Sequence, residues 1–463
     1  MAISYLVAMA KDYDIIIIGS GAGLNIAQAS KEKGWKVALF ENGPMGGTCL
    51  NRGCIPSKVW TTVADSIRAA EDSAAIGVKM RAETVDFGLI RSRLTKLTHG
   101  DSKSIERSVE KDPDIDLFRK TAEFVDVKTI QAGIRRISAD RIVIANGVRT
   151  NIPSIKGLEK AGYLTSENVF EMKTPPKSLA ILGGGYKAAE FAHFFGSIGV
   201  DVTVIGRNPR FLPSEEPEAA EAVLEGLSKK VDFYLGYGVE EVKAKGGSKN
   251  LALVSKEDTQ EVDAEEVLVC TGVRSNNDLL KPERSGIELD DRGYYVVDNR
   301  LQTNVEGIYA FGDALGRNMF RHNANKQSIV VWQNLNGRDS KVDERVVPHA
   351  VFSWPQVASV GLQEAEAKAR GYDILVGHYP YHETGKGYAL ASMDGFVKVI
   401  VEKESAAILG ATICGPEASS MLQGIVYLMV TGNGSFRPIK KSQIIHPTLS
   451  EVVERAFGGL HVH

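Results

Sequence analysis

Apolar residues in this chain fall into short runs: Ile15-Ile16-Ile17-Ile18, Leu179-Ala180-Ile181-Leu182 and Val202-Thr203-Val204-Ile205, each closed by glycine, Val37-Ala38-Leu39-Phe40, closed by Glu41, and Val267-Leu268-Val269-Cys270, closed by Thr271-Gly272. Runs of this length between turn signals read as strands, and Ile15 to Ile18 as one buried in a parallel sheet. The first opens into Gly19-Ser20-Gly21-Ala22-Gly23-Leu24 and a helix carrying Ala27 and Ala29. Amides at such a helix start can receive a pyrophosphate. The next strand ends in Glu41, 41 − 19 = 22 residues after the first glycine, a distance suited to binding a ribose hydroxyl. A glycine-rich turn alone is often just a tight connection. Here the acid at the right distance makes a dinucleotide fold the reading, with Leu24 in the third glycine slot predicting slightly wider helix-to-strand packing. The pattern repeats at Gly183-Gly184-Gly185-Tyr186-Lys187-Ala188, so two dinucleotides are implied.

The bulk properties narrow the class. At 463 residues, 43% hydrophobic and with 46 glycines, the chain is too long for one core and suits three or four domains. A net charge of -3 gives no reason to expect nucleic acid or a membrane surface as partner, and Glu215-Glu216 reads as a solvated face. No run of 18 apolar residues predicts a membrane span. Ala8-Met9-Ala10 mimics a signal-peptidase site, but no basic segment precedes it and the apolar run is short; Met9 reads instead as an alternative start. Four cysteines do not make a secreted scaffold, and a reactive pair belongs in a reducing cytoplasm.

That pair is Cys49 and Cys54, in Gly46-Gly47-Thr48-Cys49-Leu50-Asn51-Arg52-Gly53-Cys54-Ile55-Pro56-Ser57-Lys58. On an ideal helix, residues five apart stand about 8.7 Å from each other, beyond the disulfide range. The pair can therefore close only where the helix is bent. Gly46, Gly47, Gly53 and Pro56 supply the means. Cys54 falls near a helix start with Lys58 one turn on, which favours a thiolate there. Zinc would ask for closer spacing and a second ligand pair, so no metal site is expected. Near the other end, Pro447 restricts His446, and Glu451 on the following helical turn can fix its tautomer, which suits an acid or base near neutrality. Cys270 and Cys414 read as small buried hydrophobes.

The cysteine string, both nucleotide turns, Gly312-Asp313 and His446-Pro447-Thr448-Leu449-Ser450-Glu451, in that order, resemble the flavoprotein disulfide reductases over nearly the whole chain. The resemblance implies an α/β fold with two Rossmann-like domains, for FAD and NAD(P), and an α+β C-terminal dimerisation domain. Its boundaries are 1–152 for FAD, 153–273 for NAD(P), 274–345 for a central segment completing the FAD site, and 346–463 for the interface. Cys49 and Cys54 become the redox disulfide, with Cys54 nearest the flavin. His446 and Glu451 complete the other subunit's site, so a homodimer is required. Lys58 and Glu190 form an ion pair beside the flavin. FAD is held by Gly19, Gly21, Gly23, Glu41, Gly47, Thr48, Lys58, Gly147, Asp313, Met319 and His322. The nicotinamide cofactor is held by Gly183, Gly185, Tyr186, Arg207, Arg210, Val239 and Gly272, with Tyr186 covering the pocket. Asn146 stands where the family has threonine, and Lys187 where it has an apolar residue.

The second nucleotide strand ends in Gly206-Arg207, where an NAD site would carry an acid. Loss of the carboxylate and gain of cations favour a 2′-phosphate, hence NADPH, with NADH as the alternative. The leading expectation is an NAD(P)H-dependent reductase of a small disulfide. Dihydrolipoamide dehydrogenase comes second, ahead of mercuric reductase, whose C-terminal cysteine pair has no counterpart after Cys414, and of a non-turnover redox sensor. The segments 385–388 and 421–423 are placed at the substrate cleft.

Overall fold

The computed structural model describes residues 11–462; the signal-peptide and start-codon readings of the N-terminal segment lie outside them. The chain forms two compact units. The first holds the described residues through Pro56 together with Arg93–Arg149 and Val273–Glu344; the second holds Ser57–Ser92, Thr150–Gly272 and Arg345–His463.

In the first unit a five-stranded parallel sheet runs in the order Ile308–Ala310, Arg141–Ile144, Ile15–Ile18, Val37–Phe40, Ile115–Phe118. The four isoleucines of the central strand are buried on both faces, as a strand covered by helices requires. The helices Gly23–Glu32 and Arg321–Leu335 pack on each other beside it. Close approach of helix to strand falls on Gly23, where a Cβ would lie 3.1 Å from Ile17 Cγ2. The wider packing expected from Leu24 is thus not imposed, because Leu24 lies one residue past the tight point and packs partly buried against the core.

The second unit repeats the theme, in the order Val231–Leu235, Asp201–Gly206, Ser178–Leu182, Glu266–Val269, Leu164–Thr165, all parallel. It also contains a six-stranded antiparallel sheet, His349–Val351, Val357–Gly361, Ile408–Cys414, Phe396–Glu402, Ile374–Pro380 and His461–Val462. The helices Ala418–Met429 and Ser450–Gly458 pack on it. The molecule is therefore α/β with two Rossmann-like sheets and an α+β C-terminal part. No described helix is long and apolar enough to cross a membrane.

Glu215 and Glu216 depart from the solvated face that charge alone predicts. Both are buried. Glu215 meets His349 Nε2 at 2.9 Å and the Ser359 hydroxyl at 2.9 Å. Glu216 is 3.2 Å from Lys398 Nζ, itself 4% exposed and also 2.8 Å from both Glu218 and Glu364. Burial disfavours the lysine's charge, but the hydrogen bonds to Glu218 and Glu364 hold its pKa above the usual lysine range. Burial is tolerated because every charge has an opposite partner.

An aromatic side chain of the helix Cys54–Asp72 packs on the helix Tyr186–Ser197. Trp60 stacks on Phe194 at 4.4 Å and packs on Phe170 at 4.6 Å and Phe195 at 5.4 Å. It is 2% exposed. Truncating a large aromatic in such a site costs about 3–5 kcal/mol. Trp60→Ala is expected to lose about that much in denaturant unfolding followed by far-UV circular dichroism, while Trp60→Phe loses less than half of it.

Candidate active site

The helix that would separate the two cysteines is broken between them. Gly47–Asn51 is a short helix, Arg52 leaves it at φ −144°, and the long helix starts at Cys54. Gly53 makes the break compact: a Cβ there would meet Thr48 O at 3.2 Å. Gly46 and Gly47 enter with φ of +94° and +70°, the left-handed region that glycine allows. Pro56 sits in the first turn of the long helix, where its missing donor costs nothing.

Both cysteines are free thiols, and the Cys54 thiol donates a hydrogen bond to Cys49. That bond is the main reason the Cys49 pKa is lowered to about 7; burial opposes it, Arg321 assists it, and Asp313 works weakly against it. The helix-start argument put the thiolate on Cys54. The hydrogen bond between the two thiols lowers Cys49 as well. Cys270 and Cys414 are buried, and burial pushes each thiol up to about 12, which keeps them inert.

The cysteine segment lies against the first glycine turn. A Cβ on Gly47 would stand 2.7 Å from the Gly21 Cα, and one on Gly19 would stand 2.3 Å from Ala145 O. Ser20 ties the two together: its hydroxyl accepts from the Gly46 amide at 3.0 Å and donates to Glu41 at 2.6 Å. Glu41 also accepts from the amides of Ser20 at 3.0 Å and Gly43 at 2.7 Å. Asp313 opens the turn Gly312–Leu315, and Met319 and His322 flank Phe320, whose ring stacks on His322 at 5.5 Å. Gly147 has φ +66° with open space where a Cβ would be. Asn146 keeps its Oδ1 buried without a partner. Glycines where no side chain fits, an acid at a strand end and an orphaned buried acceptor fit a dinucleotide such as FAD.

In the second unit Lys58 Nζ lies 2.7 Å from Glu190 Oε1, 3.1 Å from Ser57 Oγ and 3.9 Å from the centre of the Phe352 ring. At the second glycine turn a Cβ on Gly183 would lie 2.4 Å from Cys270 O, while Gly185 and Gly272 have nothing within 4 Å. Tyr186, at the helix start, is 48% exposed. Arg207 is exposed, with no partner for its guanidinium among the described residues. Arg210 donates instead to Pro213 O at 2.5 Å. Val239 lies in the strand Gly238–Lys245.

His446 Nδ1 is 2.8 Å from Glu451 Oε1, and the Thr448 amide donates to Oε2 at 3.1 Å. The contact with His446 is the first reason the Glu451 carboxyl is held below the usual range. With Nδ1–H donated to that carboxylate, Nε2 is left to carry a proton in or out. His446 is 77% exposed. A Cβ on Gly385 would lie 3.7 Å from Pro447, the residue after the histidine. Met421 lies instead against the Tyr381 hydroxyl. Ser20, Arg321 and Phe352 escape sequence reading, since their role exists only in the fold; the sole signal is Ser20 inside the glycine turn.

Residues 13–328 match the pyridine nucleotide-disulphide oxidoreductase family, and 347–457 match the dimerisation domain of that family. Mycothione reductase of Mycobacterium tuberculosis is 34% identical, over 97% of this chain and 99% of its own. Dihydrolipoyl dehydrogenase of Bacillus subtilis is 31% identical, over 96% and 95%. The structure of the HOCl-induced flavoprotein disulfide reductase RclA from Escherichia coli superposes with a TM-score of 0.85 at 28% identity, over 96% of this chain and 99% of that one.

With the Cys49 pKa at about 7, its alkylation by iodoacetamide is expected to rise through half-maximum near pH 7. Cys54→Ala removes the donor, so the half-point moves to higher pH and the rate at pH 7 falls. An unchanged profile in that variant contradicts the thiol hydrogen bond as the cause.

Proposed function

The chain belongs to the pyridine nucleotide-disulphide oxidoreductase family, as an NAD(P)H-dependent flavoprotein enzyme acting on sulfur groups, and within it we propose a reductase of a small disulfide that draws its electrons from NADPH. The observation that carries this reading is the contrast between the two nucleotide strands. The first ends in Glu41, which accepts hydrogen bonds at its strand end. The second, Asp201–Gly206, ends in glycine followed by the exposed Arg207. A carboxylate there would repel a 2′-phosphate, whereas a free guanidinium attracts one. Arg210 is a weaker contributor, since its guanidinium is engaged by Pro213.

We assign residues 1–152 to FAD, 153–273 to NADPH, 274–345 to completion of the FAD site, and 346–463 to the dimer interface. FAD supplies the two-electron carrier between nicotinamide and disulfide. The protein's residues do the rest. Lys58, held by Glu190, favours negative charge on the reduced flavin. The Cys49 thiolate attacks one sulfur of the substrate disulfide; that S–S bond breaks as a mixed disulfide forms, and the departing thiolate takes a proton from the partner subunit's His446. Cys54 then attacks Cys49, releases the second thiol and closes the Cys49–Cys54 disulfide, which two further electrons reopen. Glu451 keeps His446 in the tautomer this needs. A reducing cytoplasm suits such a dithiol. Dihydrolipoamide dehydrogenase runs these steps backwards, and the Cys-Ile-Pro-Ser-Lys string favours it as the second reading.

Stopped-flow reduction of the FAD-loaded enzyme is expected to be at least about tenfold faster with NADPH than with NADH, a difference of about 1.4 kcal/mol, with lipoamide inert as acceptor. Preference for NADH with rapid, reversible lipoamide turnover replaces this reading by the second. Cys49→Ser is expected to abolish disulfide reduction while the flavin is still reduced; retained turnover removes Cys49 from the mechanism.

A further inference from the structure

Lys58, Asp65 and Asp72 follow one another at seven-residue intervals on the helix Cys54–Asp72, so they lie along one stripe of it. All three end on the same small region. Lys58 meets Glu190 and the Phe352 ring. Asp65 Oδ1 lies 2.8 Å from Nε2 of His193, which is 1% exposed. Asp72 Oδ2 accepts from Trp354 Nε1 at 2.8 Å.

Glu190 and His193 are one turn apart on the helix Tyr186–Ser197. Phe352 and Trp354 are two apart in the loop that follows the strand His349–Val351. The loop and that helix are themselves joined. The Phe352 amide donates to Glu190 Oε1 at 3.4 Å, and the Trp354 ring lies nearly parallel to His193 with centres 6.3 Å apart. The loop also rests on the helix Pro217–Ser228 at Gly226, where a Cβ would stand 2.3 Å from Trp354 O and 2.8 Å from Pro355 Cδ. Arg68 fixes the same spot from the other side, with Nη2 3.3 Å from Gly226 O.

We propose that Trp354 is a positioning residue for Lys58: by bridging Asp72 and His193 it holds the loop so that Phe352 covers the Lys58 ammonium and Glu190 stays aimed at it. Nothing in the cysteine chemistry uses Trp354 directly. Its indole touches both helices carrying the ion pair, so moving it frees Phe352 and Glu190 together. The inference rests on the reading of Lys58 as the cation that favours charge on the reduced flavin.

The test is the two-electron reduction equilibrium of the bound flavin against a reference dye, in the FAD-loaded enzyme. Lys58→Met is expected to shift it about tenfold toward oxidised flavin, equivalent to about 30 mV. Trp354→Leu and Gly226→Ala are expected to shift it the same way by about threefold or more, and Trp354→Phe, which keeps a ring over His193, by less than Trp354→Leu. Gly226→Ala removes no charge and adds a better helix former, so its shift reports the displaced loop alone; it also decides the matter if Trp354→Leu does not fold. Wild-type equilibria in Trp354→Leu and Gly226→Ala, with Lys58→Met displaced, overturn the positioning role while leaving the function of Lys58 intact. A wild-type equilibrium in Lys58→Met removes the flavin role of Lys58, and this proposal with it.

Discussion

Two thiols five residues apart cannot meet on a continuous helix, and the site depends on how the chain breaks one. An intact helix would hold their Cα atoms about 8.7 Å apart. Instead the short turn Gly47–Asn51 ends at Arg52 and the long helix restarts at Cys54. The same break serves a second purpose. By entering through Gly46 and Gly47 with positive φ, the segment can lie on Gly21 of the nucleotide turn, which a side chain at Gly47 would prevent. Ser20 then locks both to Glu41. Redox pair and nucleotide turn are thus one construction, fixed by Gly21, Gly46 and Gly47 and by the Ser20 hydroxyl.

Charge is handled with opposite logic at the cysteine pair and at the histidine. At Cys49 the anion is stabilised by a neutral donor, Cys54, and by Arg321 rather than by a salt bridge. A thiol lowered to about 7 keeps enough basicity to remain a good nucleophile when it ionises. At His446 the partner is a full carboxylate, which fixes one nitrogen and leaves the other exposed. In the second unit charge is used for holding. Lys398 is buried among three glutamates, and removing any one partner would leave part of that charge uncompensated.

Local patterns carried much of this into the sequence. The central strands and glycine turns of both parallel sheets are legible because four-residue apolar runs bounded by turn residues have few other uses. Cys49, Cys54, His446 and Glu451 were legible because their partners lie five residues away. Long-range partners were not. Glu215-Glu216 looks solvated until His349, Ser359 and Lys398 arrive from 134 to 182 residues away. Arg321 reaches Cys49 across the chain, and no spacing rule announces it. Helix position is visible in sequence and points to Cys54, whereas the hydrogen bond that lowers Cys49 exists only in the fold.

The replacement of threonine by Asn146 shows how such a departure is absorbed. Asn277 is fully buried, and its amide nitrogen donates to Gly293 O at 3.0 Å and Ala314 O at 3.2 Å. Those two carbonyls fix its orientation, since only the nitrogen can face them. Its Oδ1 must then accept, and it does so from Asn146 Nδ2 at 3.1 Å. Asn146 is oriented in turn, which leaves its Oδ1 buried and open. A threonine hydroxyl could either give or receive a hydrogen bond at this position; the Asn146 Oδ1 can only receive one. That buried oxygen fits a ligand that brings a hydroxyl or N–H donor, both of which FAD carries. A buried acceptor left without one would cost about 1–3 kcal/mol, so the departure from threonine narrows what the position can bind without emptying it of polarity.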